Sequence, residues 1–139
     1  MEKHGLEKIK TIGDAYMAVS GLPVPATDHA LRAARAALDI QEYMNQYLQE
    51  YKDGFRIRIG LHSGPVVAGI VGVKKFAYDI WGDTVNTASR MESASEPGMI
   101  NISKATMNLL GSTFVCEPRG AISAKHKGEM EMYFLIRGK

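Results

Sequence analysis

Asn86 and Arg90 stand one helical turn apart in a stretch whose pattern predicts a helix, so their side chains share a face. A guanidinium offers a planar fork of donors that can meet phosphate oxygens as charge moves. The same face reads equally as ordinary solvated helix. Gly13-Asp14 lies between two strand-like segments. A tight hairpin there pushes a carboxylate out at a rigid position, where a hard cation could take it, or Asp14 simply serves the turn. Arg58 sits on an alternating stretch, and Lys125-His126-Lys127-Gly128 forms a short basic segment; both are open to a plain reading as exposed charge. His62, at the end of the alternating stretch, is read as held by hydrogen bonds and is given no catalytic part. Cys116 is the single cysteine, so an internal disulfide is excluded, and no Cys/His cluster has zinc spacing.

The elements that must position these residues follow from periodicity and punctuation. Leu6 to Ile12 reads as a strand, turned by Gly13-Asp14 into a return strand from Ala15 to Ser20. Gly21-Leu22-Pro23-Val24-Pro25 breaks regular structure. Thr27 or Asp28 can cap a helix in which Leu31, Ala34, Leu38, Met44 and Leu48 recur at helical spacing, ending near Asp53-Gly54. Phe55 to His62 alternates as a strand and Ser63-Gly64-Pro65 turns it. Val66 to Val71 is a continuous apolar run and predicts a buried strand, in which Gly69 and Gly72 point to close backbone approach. Tyr78 to Trp81 is a short strand, with Tyr78 and Trp81 read as packing or interface residues. Gly82-Asp83 opens a helix to about Ala94. Met99 to Ile102 is a strand, Ser103 caps a short helix to Leu110, and Phe114 to Glu117 and Met130 to Ile136 are closing strands. Hairpins mixed with helices predict an α+β fold with a largely antiparallel sheet.

The chain has 139 residues, enough for one domain with its own core, and residues 1–139 are read as that single domain. Apolar residues make up 45% and charged residues 23%, ordinary values for a globular protein. A net charge of +2, with scattered basic residues, gives no footprint for nucleic acid. No long apolar run or signal sequence predicts direct membrane contact by this chain, and the lone cysteine fits a reducing, cytoplasmic setting. The parent protein could be membrane-attached through other segments.

Three blocks carry a resemblance: Lys8-Ile9-Lys10-Thr11-Ile12-Gly13-Asp14-Ala15-Tyr16-Met17, Arg58-Ile59-Gly60-Leu61-His62-Ser63-Gly64, and Tyr78-Asp79-Ile80-Trp81-Gly82-Asp83-Thr84-Val85-Asn86-Thr87-Ala88-Ser89-Arg90-Met91. In order and spacing, this resembles the catalytic domain of class III adenylyl and guanylyl cyclases, from about Glu7 to the C-terminus. The third block is the most specific.

The resemblance implies a ferredoxin-like nucleotide cyclase fold with flanking helices, working as a homodimer with active sites at the interface. It implies conversion of ATP to 3′,5′-cyclic AMP and pyrophosphate, aided by two Mg²⁺ or Mn²⁺ ions per site. Asp14 matches a metal aspartate. Lys10 and Asp79 match the pair that reads the purine, with Lys8 a nearby competitor one register off. Adenine offers N1 as acceptor and its amino group as donor, so a lysine and an aspartate complement it, while guanine reverses both positions. The resemblance gives Asn86 the ribose and Arg90 the α-phosphate. Lys125 aligns with a lysine for the terminal phosphates, although His126 stands where a glycine is usual and Lys127 is a rival. Arg58 matches an arginine that contacts phosphates from the other subunit.

Members normally begin with a strand carrying a further metal aspartate, and this chain starts directly before the second strand. The expected consequences are a partial domain with its first strand absent, reduced or absent turnover, and pairing with another chain to cover the gap. The competing readings are a catalytically inactive nucleotide-binding or dimerisation module of the same fold, and an RNA-binding ferredoxin-like domain. The last would need exposed aromatics and a basic face, and neither is apparent.

Overall fold

The computed structural model describes residues 4–12, 15–22, 24–50, 56–72, 77–124 and 128–139. Asp14 and Lys125 lie outside the described residues, as do Phe55, His126 and Lys127. The elements run β1 (Glu7–Ile12), β2 (Ala15–Val19), α1 (His29–Glu50), β3 (Ile59–Leu61), β4 (Val67–Val71), β5 (Ala77–Trp81), α2 (Asp83–Ser93), β6 (Ile100–Ser103), α3 (Lys104–Leu110), β7 (Phe114–Ala124) and β8 (Gly128–Gly138).

The described strands pair as three sheets. A four-stranded sheet has the order β3-β6-β8-β7, and β1-β2 and β4-β5 form separate two-stranded ribbons. All pairings are antiparallel except β3 with β6. The mixed α+β architecture expected from the sequence is therefore present, with the antiparallel character dominant.

Helices cover the four-stranded sheet on both faces. Side chains alternate along a strand, so Ile100 and Ile102 of β6 point one way and Asn101 the other. On the first face Ala30, Ala34 and Ala37 of α1 pack with Ile100, Ile102, Leu110, Phe114 and Leu135. Small alanines let the α1 backbone lie close to the sheet, while Leu31 and Leu38 fill its flanks. On the second face Met91 of α2 meets Met132 of β8, and both are fully buried. Burying each such side chain contributes about 1.5–3 kcal/mol. Asp28 precedes α1, and its carboxylate takes Arg32 at 2.9 Å, one turn ahead. Ser103 caps α3 as expected, its side chain accepting from Thr106 N–H.

Four expectations are corrected. Among the described residues of the alternating stretch from Phe55 to His62, only Ile59–Leu61 forms a strand. Its described partner β6 has 4 residues and registers Ile59 to Ile100 and Leu61 to Ile102; before it, Ile57 O still accepts from Gly98 N–H at 2.8 Å, but Gly98 belongs to a turn and not to a strand. The apolar run at Val67–Val71 is a strand but not a buried one: Val67 is 66% and Ile70 71% exposed. A two-stranded ribbon cannot bury both faces by itself. Gly69 shows no close approach, since a Cβ there would meet the Trp81 ring at 3.5 Å, ordinary contact. The close approach is at Gly60, where a Cβ would stand 2.1 Å from the backbone nitrogen of Glu92. Finally, β7 continues past Glu117 to Ala124. It can carry Pro118 because it is an edge strand of the sheet.

Candidate active site

Lys10 and Asp79 come together from separate ribbons. Lys10 Nζ donates to Asp79 Oδ2 at 2.8 Å, joining β1 to β5. The other carboxylate oxygen, Oδ1, accepts from the backbone N–H of Ile80 at 2.8 Å. The Lys10 ammonium, with the Ile80 N–H in support, holds the Asp79 carboxyl below the usual carboxylate range, against the opposing effect of partial burial. Asp79 is thus an ionised acceptor beside a lysine donor that is 40% exposed.

The rivalry between Lys8 and Lys10 has a structural answer. The β1-β2 register shifts between Lys8 and Lys10, so Ile9 is the extra residue of a bulge. Lys8 goes to the Tyr16 ring, its Nζ 5.5 Å from the centroid, and only Lys10 reaches Asp79.

From Asp79 the chain runs through Trp81 and Gly82 straight into α2. Gly82 has φ 124 and ψ 178, a backbone conformation that a side chain would strain. Its carbonyl accepts from Val85 and Asn86 N–H, opening the helix. Thr84 packs against Gly64, where a Cβ would fall 2.6 Å from its hydroxyl, so the 62–66 loop clasps the start of α2. Asn86 is exposed and Arg90 half-buried, one turn apart, with Thr87 and Met91 forming the buried face beside them.

Arg58 goes elsewhere. Its Nη2 lies 3.2 Å from Glu92 Oε2, so it pairs with the far end of α2. His62 behaves as expected: its Nδ1 is 2.7 Å from the buried Ser103 hydroxyl, within a hydroxyl group that includes Ser63 and Thr106. Among the described residues, no three His, Cys, Asp or Glu side chains gather where they could hold a metal ion. The cation expectation therefore stands on Asp14 and outside the described residues. The described candidates that the structure brings together are Lys10 with Asp79, and Asn86 with Arg90 one turn apart on α2.

Sequence reasoning missed the residues that hold α2 in place. Gly60 lets the helix backbone sit directly on β3. Asn101 Nδ2 donates to the Met91 carbonyl at 2.9 Å, and Arg119 Nη1 to the Ala94 carbonyl at 2.9 Å. A glycine inside an alternating strand was the available signal for the first. Nothing local marks Asn101, whose partners lie on other elements.

No helix among the described residues is long and apolar enough to cross a membrane.

The sequence model of the family described as the adenylate and guanylate cyclase catalytic domain matches residues 1–137. An adenylate cyclase of Mycobacterium tuberculosis is 45% identical over 139 residues, covering 100% of this chain and 31% of the relative. The rat guanylate cyclase soluble subunit beta-2 is 46% identical, covering 96% of this chain and 20% of that protein. The chain thus spans about a third or less of the curated relatives' length. Among solved structures, the guanylate cyclase domain of RhGC from Catenaria anguillulae, in complex with GTP, superposes with a TM-score of 0.92. It is 43% identical, and the match covers 99% of this chain and 76% of that one.

Proposed function

This chain belongs to the family of adenylyl and guanylyl cyclase catalytic domains, and from that premise we propose that it serves ATP: its parent converts ATP to 3′,5′-cyclic AMP and pyrophosphate. The observation that carries the choice of purine is the 2.8 Å contact between Lys10 and Asp79. A lysine donor beside an ionised aspartate acceptor complements adenine, whose N1 accepts and whose amino group donates. Guanine presents N1–H and O6 in the reverse sense and would leave both protein groups mismatched, a strong basis for rejection. GTP is the competing substrate, favoured by the likeness to guanylate cyclases, and the chemistry of this pair argues against it.

Asn86 is assigned to the ribose and Arg90 to the α-phosphate, where charge develops as the 3′-hydroxyl attacks. Lys125 and Arg58 are candidates for the remaining phosphate oxygens. Mg²⁺ or Mn²⁺ belongs to the same proposal, with Asp14 as a ligand; when bound, it neutralises phosphate charge. The working state is a homodimer, in which Asp14 of one copy serves the Lys10, Asp79, Asn86 and Arg90 of the other. The exposed apolar side chains of Val67, Ile70, Val71 and Trp81 support this, since a second copy would cover them.

The test is a cyclic nucleotide assay of the purified chain with Mn²⁺ and either ATP or GTP, with Arg90→Ala as the control. Cyclic AMP formed at a reduced rate by the unaltered chain, and not by the control, supports the reading. Cyclic GTP as the main product overturns the base assignment. ATP binding weakened by Lys10→Ala, with no product, points to the inactive nucleotide-binding module.

A further inference from the structure

The pairing of β7 with β8 shifts register twice, between Val115 and Cys116 and between Pro118 and Gly120, and the second shift carries an arginine. Pro118 faces Tyr133 and Gly120 faces Met132, so Arg119 has no opposite residue on β8. Gly120 takes φ 79, the conformation that absorbs the extra residue. A bulge re-aims the side chain it carries. Here it turns a guanidinium onto the face of the sheet that holds α2. That guanidinium stacks on Phe134, its central carbon 4.1 Å from the ring centroid. Its Nη1 donates to Ala94 O and to Asn101 Oδ1, each at 2.9 Å.

Both acceptors concern the same helix end. Ala94 is the C-cap of α2. Asn101, fully buried, donates in turn to Met91 O at 2.9 Å and lies 3.2 Å from Met132 Sδ. Two carbonyls at the carboxyl end of α2 are thus held by side chains of the sheet. A cation at that end also complements the helix dipole. The residue before Met91 is Arg90.

We infer that Arg119, acting through Asn101 and the Ala94 carbonyl, is a positioning residue that fixes the last turn of α2 and with it the depth at which Arg90 is presented. This rests on the phosphate role proposed for Arg90. The hydrogen bonds and ring contact described for Arg119 go to Ala94, Asn101 and Phe134, none of them a candidate substrate-binding residue. The fork matters as well as the charge, because one nitrogen must serve two acceptors while the plane lies on Phe134.

The experiment compares the unaltered chain with Arg119→Lys and Arg119→Met by amide hydrogen exchange and by steady-state turnover of ATP. Exchange at residues 90–95 should quicken roughly tenfold in both variants, with α1 and α3 unchanged, since only the end of α2 is released. Turnover should show kcat lower by about tenfold or more and KM within about twofold, because Lys10 and Asp79 are untouched. If Arg119→Met fails to fold, Arg119→Lys, which keeps the charge and most of the bulk, decides alone. Exchange that does not quicken at 90–95, or that quickens equally everywhere, overturns the inference. So does a kcat unchanged beside faster local exchange. If the unaltered chain makes no cyclic nucleotide, the cyclase reading fails separately, and exchange at 90–95 alone supports or overturns the hold on α2.

Discussion

Lys10 and Asp79 are 69 residues apart in sequence and meet at 2.8 Å. Among the described residues their ribbons share no backbone pairing, so this side-chain contact is a polar tie between two separately paired pieces of sheet. The same contact that presents a donor and an acceptor also fixes how the ribbons lie. In the proposed reading, recognition of the base and local architecture are therefore coupled through this ion pair.

That coupling has a sign with pH. The Asp79 carboxyl is held below its ordinary value by Lys10. A depressed folded value means that the stability it contributes is fully present above the unfolded value, about 3.9, and is lost as pH falls through the folded one. Thermal unfolding of the chain and of Asp79→Asn should differ by a constant amount from pH 8 to pH 5 and converge below about pH 4. A difference that changes between pH 8 and pH 6 would mean another group titrates in its place.

Purine choice should follow the pair. Lys10→Glu combined with Asp79→Cys is expected to weaken ATP binding by about tenfold or more, since each mismatched polar group costs about 1–3 kcal/mol. Titration with ATP and with GTP measures it. Unchanged preference would show that the base is read elsewhere.

Two glycines on consecutive strands should respond very differently. A methyl at Gly60 would stand 2.1 Å from the Glu92 nitrogen, a backbone atom that cannot step aside. Gly60→Ala should cost about 2–4 kcal/mol in urea unfolding. Gly69→Ala meets only the Trp81 ring at 3.5 Å and should stay within about 1 kcal/mol of the parent.

The exposed ribbon predicts association. Val67→Lys with Ile70→Lys places charge on side chains that are 66% and 71% exposed, so folding should change by less than about 0.5 kcal/mol. Sedimentation should shift from dimer to monomer. Dimers that persist would place the interface on another surface.

Composite sites predict complementation. In a full-length version of the protein, chains carrying Asp14→Ala and chains carrying Arg90→Ala should each be inactive alone and regain up to one working site per mixed dimer. A mixture as inactive as its parts would count against sharing of the site between copies.

Much of the architecture was legible because local rules agreed with the fold. The hairpin on either side of Gly13-Asp14, the helix through Leu31 and Leu38, and the Ser103 cap each follow from a few adjacent residues. The apolar run at Val67–Val71 misled because it reports only that water is avoided, not whether this chain supplies the cover. Among the described residues the alternation from Phe55 gave a shorter strand than expected, because ahead of Ile59 the chain meets the turn at Gly98 rather than an extended partner. At the site, Lys10 and Asp79 could be singled out by family resemblance, but Arg119 and Asn101 could not. Their partners are carbonyls at a helix end, and no sequence pattern records which side chain will reach them.

Asp79 and Arg90 stand on one uninterrupted piece of chain, strand then helix, joined by Gly82 in its unusual conformation. In the proposed reading, one end of that piece meets the base and the other meets the phosphate. The span between them is then set by covalent geometry, as on a ruler with Gly82 at its corner. Substitutions that release the last turn of α2 can shift the Arg90 end of the ruler, while changes at that corner alter the angle from which its whole length is laid out.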